Sequence, residues 1–173
     1  AVFYLAQFAQ LIRDTLRVAV DGKHHLEAEI NMLKNYLSLE KLRFKDGFDY
    51  EIKVDDNLDL TKIFIHPLLI QPSVENAIKH GLKGRKTGGM VEVIFGGNSK
   101  ELKVTVRDNG IGFNPDQEQK EDSHGMRITR FRLEIMQNKN LPKSPSPIEY
   151  KSIYAPDGQS MGTDDNIIIS PIS

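Results

Sequence analysis

The hydrophobic period of this chain changes at Asp46-Gly47, and that change narrows the fold class more than any other feature. Before it, Leu5, Phe8, Ile12 and Leu16 recur at i, i+3, i+7 and i+11, the spacing of one helical face. Asp21-Gly22 interrupts that pattern. A second helix then carries Leu26, Ile30, Leu33 and Leu37 on one stripe, widened by Met32, Tyr36 and Leu39. After Gly47 the period is two: Phe48, Tyr50, Ile52 and Val54 alternate with polar residues, as in a half-buried strand. Helices followed by alternating strands bury their apolar faces against each other as an α+β, two-layer α/β sandwich with an N-terminal helical pair. The expected division is residues 1–45 for the helices and 46–173 for the sandwich.

Helices this apolar need a partner, either their own domain or a second subunit, and both readings stay open. Ile63 to His80 is again apolar at helical spacing. It begins near Pro67, and Pro72 inside it predicts a kink or a late helix start. Gly88-Gly89 leads into a strand at Val91–Phe95, Gly96-Gly97-Asn98 is a hairpin turn, and Leu102–Val106 is the return strand. Residues 114 to 122 have no apolar anchor and read as a loop. A helix around Ile128, Phe131 and Ile135 follows, then a proline-rich linker from Asn138 to Pro147. Two closing strands, Ile148–Tyr154 and Asn166–Ser170, join through Pro156-Asp157-Gly158.

At 173 residues the chain can bury roughly 70% of its unfolded surface without disulfides or structural zinc. It contains no cysteine, which excludes thiolate metal sites and cysteine nucleophiles. The net charge is −1 with both signs interspersed, so nucleic acid is not an expected ligand. No apolar run is long enough to cross a bilayer. Ala1 opens directly into a periodic apolar pattern with no initiator Met, so the chain is expected to be a piece of a longer protein.

Two segments carry chemistry. In Glu75-Asn76-Ala77-Ile78-Lys79-His80-Gly81, helical spacing stacks Glu75 on Lys79 and Asn76 on His80, one polar face on an apolar helix. An Asn oxygen suits magnesium, which takes few protein ligands and keeps water and phosphates. Lys79 offers a point charge to a phosphate, and Glu75 can orient a water or accept a proton. The plainer alternative is a solvated helix face with a Glu–Lys pair worth about 0.3–0.5 kcal/mol.

The second segment is Asp108-Asn109-Gly110-Ile111-Gly112-Phe113, at the end of the return strand. A carboxylate at a pocket floor accepts a hydrogen bond from an adenine amino group and repels the guanine carbonyl. Such a bond is worth roughly 1.5–3 kcal/mol, or about 10- to 100-fold in affinity. Gly110 and Gly112 permit close approaches that a β-carbon would block. An ordinary Asp-Asn-Gly turn is the alternative. Ser123-His124-Gly125-Met126 opens the next helix, where free amides make an anion site, with Arg127 and Arg130 one turn apart. The order of the three segments carries more weight than any one of them. His24 and His25 read as surface residues and His66 as structural.

With these residues in view the chain resembles the LytS-type sensor histidine kinases of two-component signalling. Tyr36 to Phe44 is similar to the end of that family's kinase segment, Pro67 to Gly81 to its N box, and Asp108 to Phe113 to its G1 box. Arg130 to Glu134 resembles the helix after the G2 box, and Gly162-Thr163 the approach to the last strand. The resemblance implies a Bergerat-type ATP-binding fold with ATP and Mg2+ as cofactors. It implies Asn76 on magnesium, Lys79 and His80 near the phosphates, Asp108 selecting adenine, and residues 114–122 as lid. The remaining implied contacts are Gly110, Gly112, Phe113, Ser123, His124, Gly125, Met126 and Arg130.

The reaction implied is transfer of the γ-phosphoryl group of ATP to a histidine, then relay to a response regulator receiver domain. A homodimer in the full-length protein and a cytoplasmic position in a membrane-anchored sensor are implied likewise. Ser123 stands where the family has the first G2 glycine, and the acceptor motif Asn-Pro-His-Phe is expected upstream of Ala1. Two other expectations compete: a nucleotide-sensing module without phosphotransfer, and an ATPase using Glu75 to activate water.

Overall fold

The computed structural model describes residues 22–44, 47–83, 85, 87–111, 148–154, 156 and 160–172. Their elements are β1 (His24–His25), α1 (Leu26–Arg43), β2 (Phe48–Val54), β3 (Phe64–Ile65), α2 (Gln71–Asn76) with a π-helical turn (Ala77–Gly81), β4 (Gly89–Gly97), β5 (Leu102–Asp108), β6 (Ile148–Tyr154) and β7 (Ser160–Ile169). Five strands form one sheet in the order β2-β4-β5-β7-β6. Only β2 and β4 run parallel; the other three neighbouring pairs are antiparallel. The mixed, mostly antiparallel sheet with helices packed on it is the α/β sandwich that the change of period predicts.

Period-two alternation gives this sheet two unlike faces. Val91, Val93 and Phe95 of β4, Leu102, Val104 and Val106 of β5, and Ile167 and Ile169 of β7 are buried together, with Phe48 of β2. Leu26, Ile30, Leu33, Tyr36 and Leu37 of α1 and Val74, Ala77 and Ile78 of the second helix close the same core. Thus α1 spends its apolar stripe inside its own fold. The opposite face is polar: Arg107 bonds Asp164 at 2.7 and 2.9 Å, Lys53 reaches Glu92 at 2.5 Å, and Thr105 bonds Asn166 at 2.8 Å. These cross-strand pairs let β7 run from Ser160 through Asp164-Asp165-Asn166, a sequence of low strand propensity. The sequence pattern alone starts that strand only at Asn166.

The Gly96-Gly97-Asn98 turn forms as expected. Gly97 takes a φ of 104°, and a β-carbon there would lie 2.2 Å from the Glu101 carbonyl. Pro72 acts as a late start: it sits in the first turn of α2, where its missing N–H costs nothing. The stretch before it is corrected, since Phe64–Ile65 forms a strand pairing with His24–His25 and not a helix. His24 is corrected too. It is 8% exposed and faces the buried Glu29, whereas His25 is exposed. His66 is structural as expected, its Nδ1 2.8 Å from the Gly22 carbonyl. The helices predicted over 5–16 and around 128–136, the 114–122 loop and the linker lie outside the described residues.

Candidate functional site

Asp108 ends β5 in register with Val91 of β4 and Thr163 of β7. It follows Leu102, Val104 and Val106 in the alternation, so it belongs to the helix-covered face and is 4% exposed. Its Oδ1 accepts the Gly110 amide at 2.8 Å, and Thr163 donates to the carboxylate from both backbone and hydroxyl. Burial pushes its pKa up from 3.8 to about 6, those hydrogen bonds pull it down, and the Asp164 charge raises it.

Three glycines crowd this acid. A β-carbon at Gly81 would lie 2.6 Å from the Asp108 Cγ, one at Gly110 1.7 Å from the Gly81 carbonyl oxygen, and one at Gly162 1.8 Å from the Asp108 carbonyl oxygen. Gly162 also has φ +129°, a conformation L side chains avoid. The Ile111 amide donates to the Gly81 carbonyl at 3.0 Å. Backbone against backbone, the turn after β5 therefore seats on the end of the second helix. Asn109 locks the turn to β4: its Oδ1 accepts the Met90 amide at 2.8 Å and its Nδ2 donates to the Gly88 carbonyl at 3.0 Å.

Gly81 lies five residues after Asn76, which is the last residue of α2. Between them the helix widens to a π turn, with the Leu82 amide on the Ala77 carbonyl at 3.0 Å, a departure common at functional sites. Val74, Ala77 and Ile78 are buried, Glu75, Asn76 and His80 half-buried, and Lys79 exposed. The polar face expected from spacing is thus present. Glu75 is held at both oxygens, Oε1 by Gln71 Nε2 and Oε2 by Lys79 Nζ, each at 3.0 Å. Tyr36 of α1 adds a neighbour the sequence did not announce. Burial, followed by the charges of Glu75 and Glu40, raises its phenol above the usual range.

Of the residues singled out from sequence, Asp108 and Gly110 meet the second helix at Gly81; Lys79 and His80 belong to the π turn that ends there, and Glu75 and Asn76 to the helical turn before it. Gly112, Phe113, Ser123, His124, Gly125, Met126 and Arg130 lie outside the described residues. Sequence reasoning missed Thr163, Gly81, Gly162 and Asn109 as parts of the acid's setting. The Gly162-Thr163 pair was visible, but only strand register puts it opposite Asp108. A concavity of about 610 Å3 also opens beside the end of β5, lined by Asp108 and Asn109 together with Met90, Glu92, Arg107, Lys151 and Met161 among others. Glu75, Asn76, Lys79 and His80 do not line it, so it meets the site at Asp108 and Asn109 and not at the second helix.

The comparisons with known proteins agree with this fold. Residues 1–48 match the histidine kinase family, and residues 67–141 match the histidine kinase-, DNA gyrase B- and HSP90-like ATPases. Among solved structures, the histidine kinase domain of Erythrobacter litoralis EL346 blue-light activated histidine kinase superposes with a TM-score of 0.60 at 19% identity, over 96% of this chain and 74% of that one. The catalytic domain of histidine kinase ThkA superposes with a TM-score of 0.59 at 14% identity, over 86% and 94%. The fold is that of a histidine-kinase ATPase domain.

Sequence relatives narrow the class. LytS of Staphylococcus haemolyticus is 37% identical over 112 residues, 65% of this chain and 19% of that protein. LytS of Streptococcus mutans is 35% identical over 118 residues, 67% and 20%. The chain belongs to the LytS-type sensor histidine kinases of two-component systems. It spans about a fifth of the length of these curated relatives. Among the described residues no helix is long and apolar enough to cross a membrane.

Proposed function

We propose that this chain is the catalytic part of a sensor kinase that binds Mg-ATP and passes the γ-phosphoryl group to a histidine, for relay to a response regulator receiver domain. In that transfer the bond from the γ-phosphorus to the β,γ-bridging oxygen breaks, a phosphorus–nitrogen bond to imidazole forms, and ADP leaves. The observation that carries the reading is Asp108. It is a buried carboxylate at the end of a strand, held by the Gly110 amide and by Thr163 and with no cationic partner among the described residues, and Gly81 and Gly162 leave no room beside it for a β-carbon. A fold keeps such an acid, at a cost to stability, where it has a ligand to recognise. An adenine amino group donates to it and a guanine carbonyl does not.

Asn76 is the residue that would hold magnesium, its half-buried amide being a neutral oxygen donor of the kind this ion accepts. The bound ion would supply charge neutralisation at the phosphates. Lys79, released from Glu75, would reach a phosphate, and His80 lies on the same polar face. Glu75 is the candidate base or water-orienting group, and phosphoryl transfer leans mostly on positioning and charge. Gly110, Gly112, Phe113, Ser123, His124, Gly125, Met126 and Arg130 complete the proposed nucleotide contacts, with residues 114–122 as lid.

We assign residues 1–45 to the end of a dimerisation and kinase segment and 46–173 to the ATP-binding unit. A homodimeric, membrane-anchored sensor with this part in the cytoplasm is the proposed setting. The receiver-domain partner has a counterpart in ThkA, solved in complex with response regulator protein TrrA; that kinase superposes with a TM-score of 0.56 at 14% identity, over 98% of this chain and 48% of that one. Calorimetric titration with Mg-ATP tests the site. Asp108→Asn should weaken binding about 10- to 100-fold while GTP binds neither protein. Equal ATP affinity in both would remove Asp108 from the reading.

A further inference from the structure

We infer that Glu29 is a positioning residue: its carboxylate, lodged between His24 and the backbone of Leu68, fixes the entry of the helix that carries Asn76 and so couples the segment ahead of the sheet to nucleotide affinity. The coupling to affinity rests on the nucleotide-binding reading above.

Glu29 is 1% exposed and His24 8%. Glu29 Oε2 lies 2.8 Å from His24 Nε2 and accepts the Leu68 amide at 3.3 Å. The approach to His24 is an ion-pair contact and not a directed hydrogen bond, so among the described residues both ring nitrogens and Glu29 Oε1 have no hydrogen-bond partner. A buried pair left so incompletely satisfied is poor stabilisation, and apolar side chains of the same volume would serve the core at least as well. What the carboxylate does accomplish is on its other side. Leu68 has φ +59°, and among the described residues it is the one non-glycine with positive φ. A leucine in that region is strained and persists where its surroundings hold it there.

That strain sits at a junction. The His24–His25 strand pairs with Phe64–Ile65, and the Leu26 amide donates to the Ile63 carbonyl at 2.8 Å, which brings the first turn of α1 against the loop before β3, while Glu29 reaches Leu68 in the loop after it. Directly after Leu68, Leu69 and Ile70 are buried at 1% and 0% exposure, and α2 starts at Gln71. The left-handed turn at Leu68 thus sets the direction in which the chain enters the core and begins the helix. Five residues further on stands Asn76.

The test is a set of variants of the 173-residue chain, read by Mg-ATP titration and by amide hydrogen exchange over residues 66–76. Glu29→Gln keeps an oxygen for the Leu68 amide and should stay within about twofold of wild type. Glu29→Met fills the same space without an acceptor and should weaken binding about five- to tenfold, with faster exchange. Adding Leu68→Gly to Glu29→Met should recover most of that loss, because glycine adopts positive φ without help. Glu29→Ala replaces Glu29→Met in the set where methionine does not fold. Wild-type affinity and exchange in Glu29→Met, or a double variant as weak as the single, would overturn the inference. Should wild type itself bind no Mg-ATP, the nucleotide reading has failed. Exchange then still decides: faster in Glu29→Met than in Glu29→Gln supports the role of Glu29, and equal rates end it.

Discussion

Asp108 and Glu29 are both carboxylates withdrawn from water, at 4% and 1% exposure, yet they are kept by opposite means. Glu29 stands against a histidine and reaches across to a strained backbone amide. Among the described residues Asp108 receives backbone and hydroxyl donors, from Gly110 and Thr163, and stands beside three positions without β-carbons, Gly81, Gly110 and Gly162. Crowding is what separates the two. Beside Glu29 stands the His24 side chain, and the acid holds a piece of backbone at Leu68. Around Asp108 two stretches of backbone are brought into direct contact so that the acid can be packed at all. A carboxylate that organises structure and one reserved for a ligand are told apart here by what surrounds them, not by how deeply they are buried.

The largest test of that difference is Gly110→Ala. The new methyl would meet the Gly81 carbonyl oxygen at 1.7 Å, and neither partner is a flexible side chain. Either the turn after β5 or the end of the second helix has to move, so we expect at least about 3 kcal/mol of lost stability in denaturant unfolding. Loss of Mg-ATP binding should accompany it. A variant as stable as wild type would mean that the contact between helix and turn is slack, and the comparison with Glu29 would lose its basis.

Next in size is the proton linkage of Asp108. Burial holds its folded pKa at about 6, above the ordinary 3.8. The folded state then binds the proton more tightly than the unfolded chain does. The contribution to stability is complete below about 3.8 and is lost as pH rises through about 6. The rise is worth about 3 kcal/mol. Asp108→Asn removes it, so the stability difference between wild type and variant should shift by about that amount between pH 4 and pH 7, to the disadvantage of wild type. Unfolding free energies measured across that range check it. Parallel curves would show that water reaches the carboxylate in the folded protein.

How much of this was legible in sequence follows the reach of each interaction. The α1 stripe at Leu26, Ile30, Leu33 and Leu37, the alternation in β2 and the Gly96-Gly97-Asn98 turn are local, and local periodicity gave them. The polar face of Glu75, Asn76, Lys79 and His80 was equally local. What stayed hidden depends on which strands become neighbours. Thr163 reaches Asp108 because β7 pairs with β5 from Asp108↔Thr163 to Leu102↔Ile169, and β7 starts early because Arg107 and Thr105 supply partners for Asp164 and Asn166. His24 looked like a surface residue in a polar Lys-His-His run. Its burial is decided by a two-residue pairing with Phe64–Ile65, forty positions away in the sequence and without a pattern of its own.

The smallest expected effect sharpens the comparison from the solvent side. Lys79 is 51% exposed and pairs with Glu75 at 3.0 Å, an i,i+4 contact on a solvated helix face. Such a pair contributes about 0.3–0.5 kcal/mol, so Lys79→Ala should leave the unfolding midpoint almost unmoved. Its charge is nonetheless proposed to meet a phosphate, where removing it should weaken Mg-ATP binding about fivefold or more. Asp108 and Lys79 then differ in a measurable way, since changing the acid alters both stability and binding whereas changing the lysine alters binding alone. The Lys79→Ala titration therefore separates the two roles open to this helix face. A solvated pair with no ligand predicts unchanged affinity, and a phosphate contact predicts a loss of affinity in a protein of unchanged stability.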